Sequence, residues 1–278
     1  MRRSLPFILS AAFAAFAGQA QAADLAVDAP AEAVAVPVDI WVATIKGTGF
    51  YQPRFEGSKE YHFTGAPGLS IRRGNEPYKI GSPDDGIDLA LINTPSIQFG
   101  PTARIHGERD SSDVRRFRGM DNIDYGIEPG AFLEYYPTEF IRLRGEARYG
   151  LWGSNGFSGT VAADGIFIYD KLTVLVGPRL ELGDRKYMNT YFGVSAGEAA
   201  DVGGISRYKA GGGIKSVGAA ASATYQLTNE WSVTAFGRYD RYVDEAGKSP
   251  VTRTLGTKNA FTAGLGVGYS FAWNGFHF

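Results

Sequence analysis

Eight charged residues in the middle of the chain fall at even spacings within three stretches: Glu128, Glu134, Arg142, Arg144, Glu146, Arg148, Arg179 and Glu181. Side chains two residues apart share one face of an extended chain. Guanidinium and carboxylate groups arranged in this way form charge-assisted hydrogen bonds, or set the ion preference of a pore. Other chemistries find less support. With no Cys there is no thiolate nucleophile, disulfide framework or Cys-based zinc site. His106 sits beside Glu108, and His62 lies in an EYHF stretch. No spacing links either of them, or His277, to a nucleophile. Gly211-Gly212-Gly213-Ile214-Lys215-Ser216 lacks the spacing of a phosphate loop, and no helical pattern follows it. Glycines at a strand start explain it better. No catalytic, cofactor-binding or metal-binding residue is expected.

The elements that must position the charged row read as strands. Along 141–152 the odd positions Ile141, Leu143, Gly145, Ala147, Tyr149 and Leu151 oppose Arg142, Arg144, Glu146 and Arg148. Leu172, Val174, Val176, Pro178, Leu180 and Leu182 line one face of another stretch. Near the end, Phe261, Ala263, Leu265, Val267, Tyr269 and Phe271 alternate with Thr262, Gly264, Gly266, Gly268 and Ser270. A period of two over roughly 10–13 residues exceeds the usual soluble strand and matches a tilted bilayer crossing. Aromatics cluster at the segment ends (Tyr135, Tyr136, Phe140, Trp152, Tyr169, Tyr225, Trp231, Tyr239, Tyr242), where interfacial girdles belong. The fold class expected is an all-β antiparallel transmembrane barrel of the outer membrane, with twelve strands favoured over ten.

Composition agrees. Among 278 residues are 37 Gly, 15 Tyr and 18 Phe, which suits strands alternating large and small side chains. The formal charge of −1, with no basic block, argues against nucleic acid as a partner. Residues 1–22 read as a secretory signal: Arg2 and Arg3, an apolar Leu5–Ala17 run too short to span, and an Ala20-Gln21-Ala22 cleavage site. Residues 23–39 read as a flexible periplasmic leader, 40–271 as the barrel and 272–278 as a C-terminal extension. Later in the chain no run of about 18 apolar residues marks a spanning helix.

Strand parity sets the topology. Short turns at 137–139, 169–171 and 227–230 face the periplasm, and 108–122, 152–158, 184–211 and 243–257 are exterior loops. Tyr187–Val194 looks strand-like alone, but parity assigns it to the 184–211 loop. The stretch 40–72 holds a hairpin, and 77–92 holds either two short strands or a periplasmic loop. A three-residue turn at 137–139 pairs Glu134 with Arg142 and Glu128 with Arg148. Asp110, Asp113, Asp121 and Asp124 interleave with Arg115, Arg116 and Arg118. This mixture suits a solvated loop or a lipopolysaccharide phosphate contact better than calcium. The row of eight is read as a structural ion-pair plug in preference to an ion-selective lining.

GPRLELGDRKYMNTYFGVSAGEA (177–199), RYKAGGGIKSVGAAASATYQLTNEWSVTAFGRYDRYVDEAGKSPV (207–251) and GTKNAFTAGLGVGYSF (256–271) resemble the MipA/OmpV family, as does GFYQPRFEGSKEYHF (49–63). The resemblance spans most of 40–271. It implies an outer-membrane barrel and a non-enzymatic scaffold that brings a lytic murein transglycosylase to a penicillin-binding protein, with no binding residue to carry over. A small diffusion channel or a surface adhesin is the alternative. The partners expected are therefore outer-membrane lipid and lipopolysaccharide, and through the resemblance the two murein enzymes. Family members commonly stop near Phe271; here Ala272–Phe278 continue, and either Phe271 or Phe278 supplies the terminal aromatic for assembly.

Overall fold

The computed structural model describes residues 40–73 and 80–273. The signal, the leader, His277 and Phe278 lie outside the described residues. The strands are β1 (Trp41–Pro53), β2 (Tyr61–Arg73), β3 (Ile87–Asp88), β4 (Ile92–Asn93), β5 (Ile97–His106), β6 (Gly126–Thr138), β7 (Ile141–Tyr149) and β8 (Phe157–Tyr169). They continue as β9 (Leu172–Gly183), β10 (Gly213–Gln226), β11 (Trp231–Tyr242) and β12 (Asn259–Trp273). All twelve belong to one antiparallel sheet that curls into a nearly closed barrel. First and last strands meet along β1–β12, from Trp41 opposite Trp273 to Tyr51 opposite Ala263. The final strand runs two residues past Phe271.

Alternation decides which face is wet. Arg142 and Arg144 are 0% and 3% exposed, while Ile141 and Leu143 are 43% and 40% exposed. The ionic face therefore lines the lumen and the apolar face meets lipid. Two aromatic belts band the outside. Tyr135, Phe140, Tyr169, Trp231 and Tyr269 stand at the short-turn end, and Tyr51, Phe63, Tyr125, Trp152 and Phe261 at the long-loop end. The short-turn end faces the periplasm by the loop-length rule.

The β6–β7 register differs from the sequence reading. Glu134 opposes Arg144, not Arg142, and Arg148 opposes Gly130, not Glu128. β6 continues to Thr138, which pairs with Ile141, so the turn is Glu139-Phe140 and a bulge follows Tyr135. The shift is two residues, which keeps every side chain on its face. A shift of one would send these arginines into hydrocarbon at roughly 2–4 kcal/mol each near the midplane.

The hydrogen-bonded path runs β2-β1-β12-β11-β10-β9-β8-β7-β6-β5-β3, with β4 also on β5. β3 and β4 are two pieces of one irregular course along β5; at its tightest a Cβ on Gly100 would lie 1.9 Å from the Leu89 carbonyl oxygen. Each step of the path is antiparallel, and ten steps separate β2 from β3, so these two ends run the same way. No ladder joins them among the described residues. A chain leaving β2 at the short-turn end must rise before it can enter β3. Residues 80–86 do so inside the lumen, with Ile80 packed on buried Tyr136, Ile166 and Leu175. Of the sequence alternatives for 77–92 the two short strands are found, and residues 80–86 line the interior instead of forming a periplasmic loop.

The long connections fold into a cap. The 184–212 connection contains α1 (Arg185–Phe192) and α2 (Ala196–Val202), and α3 (Asp244–Lys248) follows β11. Asp184 caps α1 by accepting from the Tyr187 amide, and Ser195 with Glu198 forms a capping box on α2. The strand-like Tyr187–Val194 stretch is thus mostly helix. Helical spacing puts Tyr187, Met188, Tyr191 and Phe192 on one buried face. That face packs on Val114, Phe117 and Met120 of the β5–β6 connection and on Val251 and Leu255. Phe117 edges onto Phe55 at 4.7 Å. Deleting a buried phenyl ring costs about 3–5 kcal/mol. Phe117→Ala should therefore expose 107–125 to protease while the barrel stays heat-modifiable; wild-type protease resistance would contradict this packing.

Candidate functional site

The eight residues of the charged row all lie in the lumen and are all buried. Arg142 is their centre. Its Nη2 lies 2.6 Å from Glu134 Oε1 and 2.6 Å from Asp85 Oδ2, and its Nη1 is 2.8 Å from Asp164 Oδ2. Arg144 reaches the same Glu134 oxygen at 2.6 Å and Glu146 Oε1 at 2.6 Å, and its guanidinium lies 4.6 Å over the Phe132 ring. Arg148 pairs with Glu146 and lies 3.4 Å from Glu128 Oε2. Glu134 thus joins Arg142 and Arg144 of β7 although it faces only Arg144 in the ladder.

Several further members of the network lay outside the sequence reading. Asp164 bridges Arg142 and Arg179, the latter at 2.6 Å. Arg238 binds Glu181 at 2.8 Å and Asp240 at 2.6 Å. Arg104 donates to Glu146 at 3.4 Å. These share the inward parity of their strands, so alternation could have found them. The decisive pair could not be found that way. Asp84 and Asp85 come from the interior segment 80–86, in a Ser-Pro-Asp-Asp-Gly turn where Asp85 accepts the Ser82 amide at 2.7 Å. Asp84 takes Arg179 at 2.8 Å and Arg238 at 3.0 Å; Asp85 takes Arg142 at 2.6 Å and Arg144 at 3.5 Å. Two adjacent carboxylates therefore tie β7, β9 and β11 together across the lumen.

A second cluster closes the top. Glu56, from the β1–β2 turn, accepts from Lys215 Nζ at 2.7 Å, and Tyr187 Oη lies 3.3 Å away. His106 Nε2 stands 3.4 Å from the same carboxylate, and its ring lies 4.6 Å from Tyr191. Gly57 turns the chain here with φ +83°, where a Cβ would touch Val251 at 3.2 Å. Burial alone would raise the Glu56 carboxyl, but Lys215 and His106 outweigh it and hold the group at about 2. The Tyr187 hydroxyl also lies 3.4 Å from His106 Nε2. His62, on the outer hairpin, is half-buried and joins no cluster of this kind. The described residues contain no group of three or more His, Asp or Glu able to hold a metal. The carboxylates of 108–122 spread over the cap, with Asp113 paired to Arg54 and Asp110 turned on Ser112.

A family model described as MltA-interacting protein MipA matches residues 46–271. The chain belongs to the MipA family. No curated protein sequence matches it. Among solved structures it is similar to an outer-membrane channel of Pseudomonas putida F1, at 12% identity over 87% of this chain and 99% of that one, TM-score 0.43. It is also similar to the channel DcaP of Acinetobacter baumannii, at 11% identity, 84% and 97% coverage and TM-score 0.39. A third is Neisserial surface protein A, at 11% identity, 84% and 97% coverage and TM-score 0.28. This MipA-family chain is an outer-membrane β-barrel, with apolar strands outside and paired charges within.

Buried ion pairs repay desolvation only when well partnered, and losing one partner costs about 3–5 kcal/mol. Arg142→Ala removes one arginine partner from each of Glu134, Asp85 and Asp164 at once, so the barrel should unfold at clearly lower urea in lipid vesicles, with Arg142→Lys intermediate. A wild-type midpoint would show the network to be energetically silent. Glu56 adds a pH arm. Its folded value of about 2 lies below the ordinary 4.5, so its stabilisation is full above about pH 4.5 and fades as pH falls toward 2. Glu56→Gln should flatten that arm of the stability profile; an unchanged acid slope would place the titration elsewhere.

Proposed function

We propose that the protein is a plugged, non-enzymatic outer-membrane barrel that serves as a platform for murein machinery. One observation carries the plug: Asp84 and Asp85, on a segment inside the lumen, hold four arginines on three strands. A diffusion pore needs a continuous wet path, and here cross-lumen ion pairs and a packed cap stand in it. The platform rests on the family, whose description is that of an MltA-interacting protein. Its partners would be a lytic murein transglycosylase and a penicillin-binding protein.

The periplasmic end offers short turns such as Glu139-Phe140, Asp170-Lys171 and Leu227–Glu230. Residues 80–93 are committed to lumen and wall, so they offer no free docking loop. That leaves the 23–39 leader and the C-terminal residues as docking segments. Crosslinked cells test this: deleting 23–36 should cut co-purification of the transglycosylase while the barrel still assembles. Undiminished capture would remove the leader from the proposal, and no enrichment by the full chain would remove the platform.

Planar bilayers test the plug. The wild type should show no stable ohmic conductance, and Asp84→Asn with Asp85→Asn should produce opening events. A steady wild-type pore would favour the channel reading.

A further inference from the structure

The cap contains a half-open cavity of about 410 Å³, built from the β5–β6 connection, α1, α2 and the 205–209 strand approach, away from the lumen network. Its inner wall includes Arg109, only 4% exposed. Arg109 spends its donors on backbone: Nε and Nη2 reach the Asp121 carbonyl at 3.3 and 3.1 Å, and Nη1 the Tyr191 carbonyl at 3.2 Å. No carboxylate forms an ion pair with it among the described residues. The carboxylate that acts on it most, Glu198, spends its hydrogen bonds elsewhere: its oxygens accept the Ser195 amide at 2.7 Å and the Asp121 amide at 3.0 Å. Burial accordingly lowers the Arg109 pKa against the pull of Glu198 and Asp121. Glu198 and Asp121 offset the burial of this cation only in part, and an anion entering the cavity relieves the remaining cost.

The rest of the lining fits such an anion. Arg207 and Lys209 are exposed on the rim and make no ion pair or side-chain hydrogen bond among the described residues. Three cations against Asp121 and Glu198 leave a net positive wall. Asn122 gives its carbonyl oxygen to Ser111, at 2.9 Å from both amide and hydroxyl, so its amide NH2 is free to donate. Asn189 adds a second amide, and Tyr208 an aromatic wall whose hydroxyl is tied to Glu245 at 2.9 Å. Cations beside amide donors and a ring face suit a phosphate carried on a sugar. A volume of this size is ordinary for a small-ligand site.

We propose that this cavity binds the phosphate of a phosphorylated saccharide at the exterior face. The site is independent of whether the periplasmic end docks murein enzymes. Titration calorimetry on the detergent-solubilised full chain, with glucose 6-phosphate, glucose and inorganic phosphate as probes, tests it. Glucose 6-phosphate should bind, glucose should not, and inorganic phosphate should bind at least tenfold more weakly. Arg207→Glu with Lys209→Glu alters only exposed positions, so the cap should persist, checked by protease resistance, while affinity falls at least tenfold. Arg109→Gln should lose binding as well. Absence of glucose 6-phosphate binding, or equal binding by wild type and the double variant, overturns the proposal; equal binding of glucose does the same. If inorganic phosphate matches glucose 6-phosphate, the saccharide component falls. Phosphate analysis of lipopolysaccharide retained through purification identifies the source: loss in the double variant points to the surrounding membrane, and equal amounts point to a soluble sugar phosphate.

Discussion

A guanidinium can lie at the depth of a bilayer only where carboxylates face it. Six arginines, Arg104, Arg142, Arg144, Arg148, Arg179 and Arg238, do so in this lumen. Each needs the barrel wall to hold hydrocarbon away and opposing strands to bring Asp or Glu within reach. The wall in turn needs every strand to keep its apolar residues outside. Closure, alternation and ion pairing are therefore one condition seen from three sides.

The same condition explains why the chain crosses its own interior. The ends of the sheet path, β2 and β3, are parallel, so no tight turn can join them. The connection must climb from one end of the barrel before β3 can descend. In lipid its polar backbone would lack partners. In the lumen it finds arginines, and Asp84 with Asp85 turns a topological necessity into a brace across β7, β9 and β11. A pathway open to solutes and a brace of this kind compete for the same space.

The exterior end follows different physics. There the apolar faces of α1 and the β5–β6 connection have no lipid to meet, so they pack on each other around Phe117, Met188 and Phe192. This makes the loops a folded surface able to hold a defined cavity, with Arg109 kept in it by backbone carbonyls. The folded cap and the short periplasmic turns lie at opposite ends of the ionic core.

Much of this was legible in the residues alone. Period-two alternation and segment length implied a barrel of ten or twelve strands with twelve favoured, and parity put Tyr187–Val194 in an exterior loop despite its strand-like look. The inward row from Glu128 to Glu181 was visible because parity is a local property. The two-residue change of register was not, because a bulge after Tyr135 and a shorter turn leave the faces unaltered and so leave no trace in the pattern. Asp84 and Asp85 were also invisible: their partners lie 57 to 154 positions away, and nothing within a Ser-Pro-Asp-Asp-Gly turn says which end of the barrel it enters. Helix α1 was ambiguous for a related reason, since a short aromatic run suits either period until a cap residue and a packing surface choose between them. Which face most strand residues take was written in the sequence, although Tyr136 and Tyr242, read as girdle aromatics, are buried inside. Which charge meets which, and that the lumen is crossed, was decided only when distant strands came together.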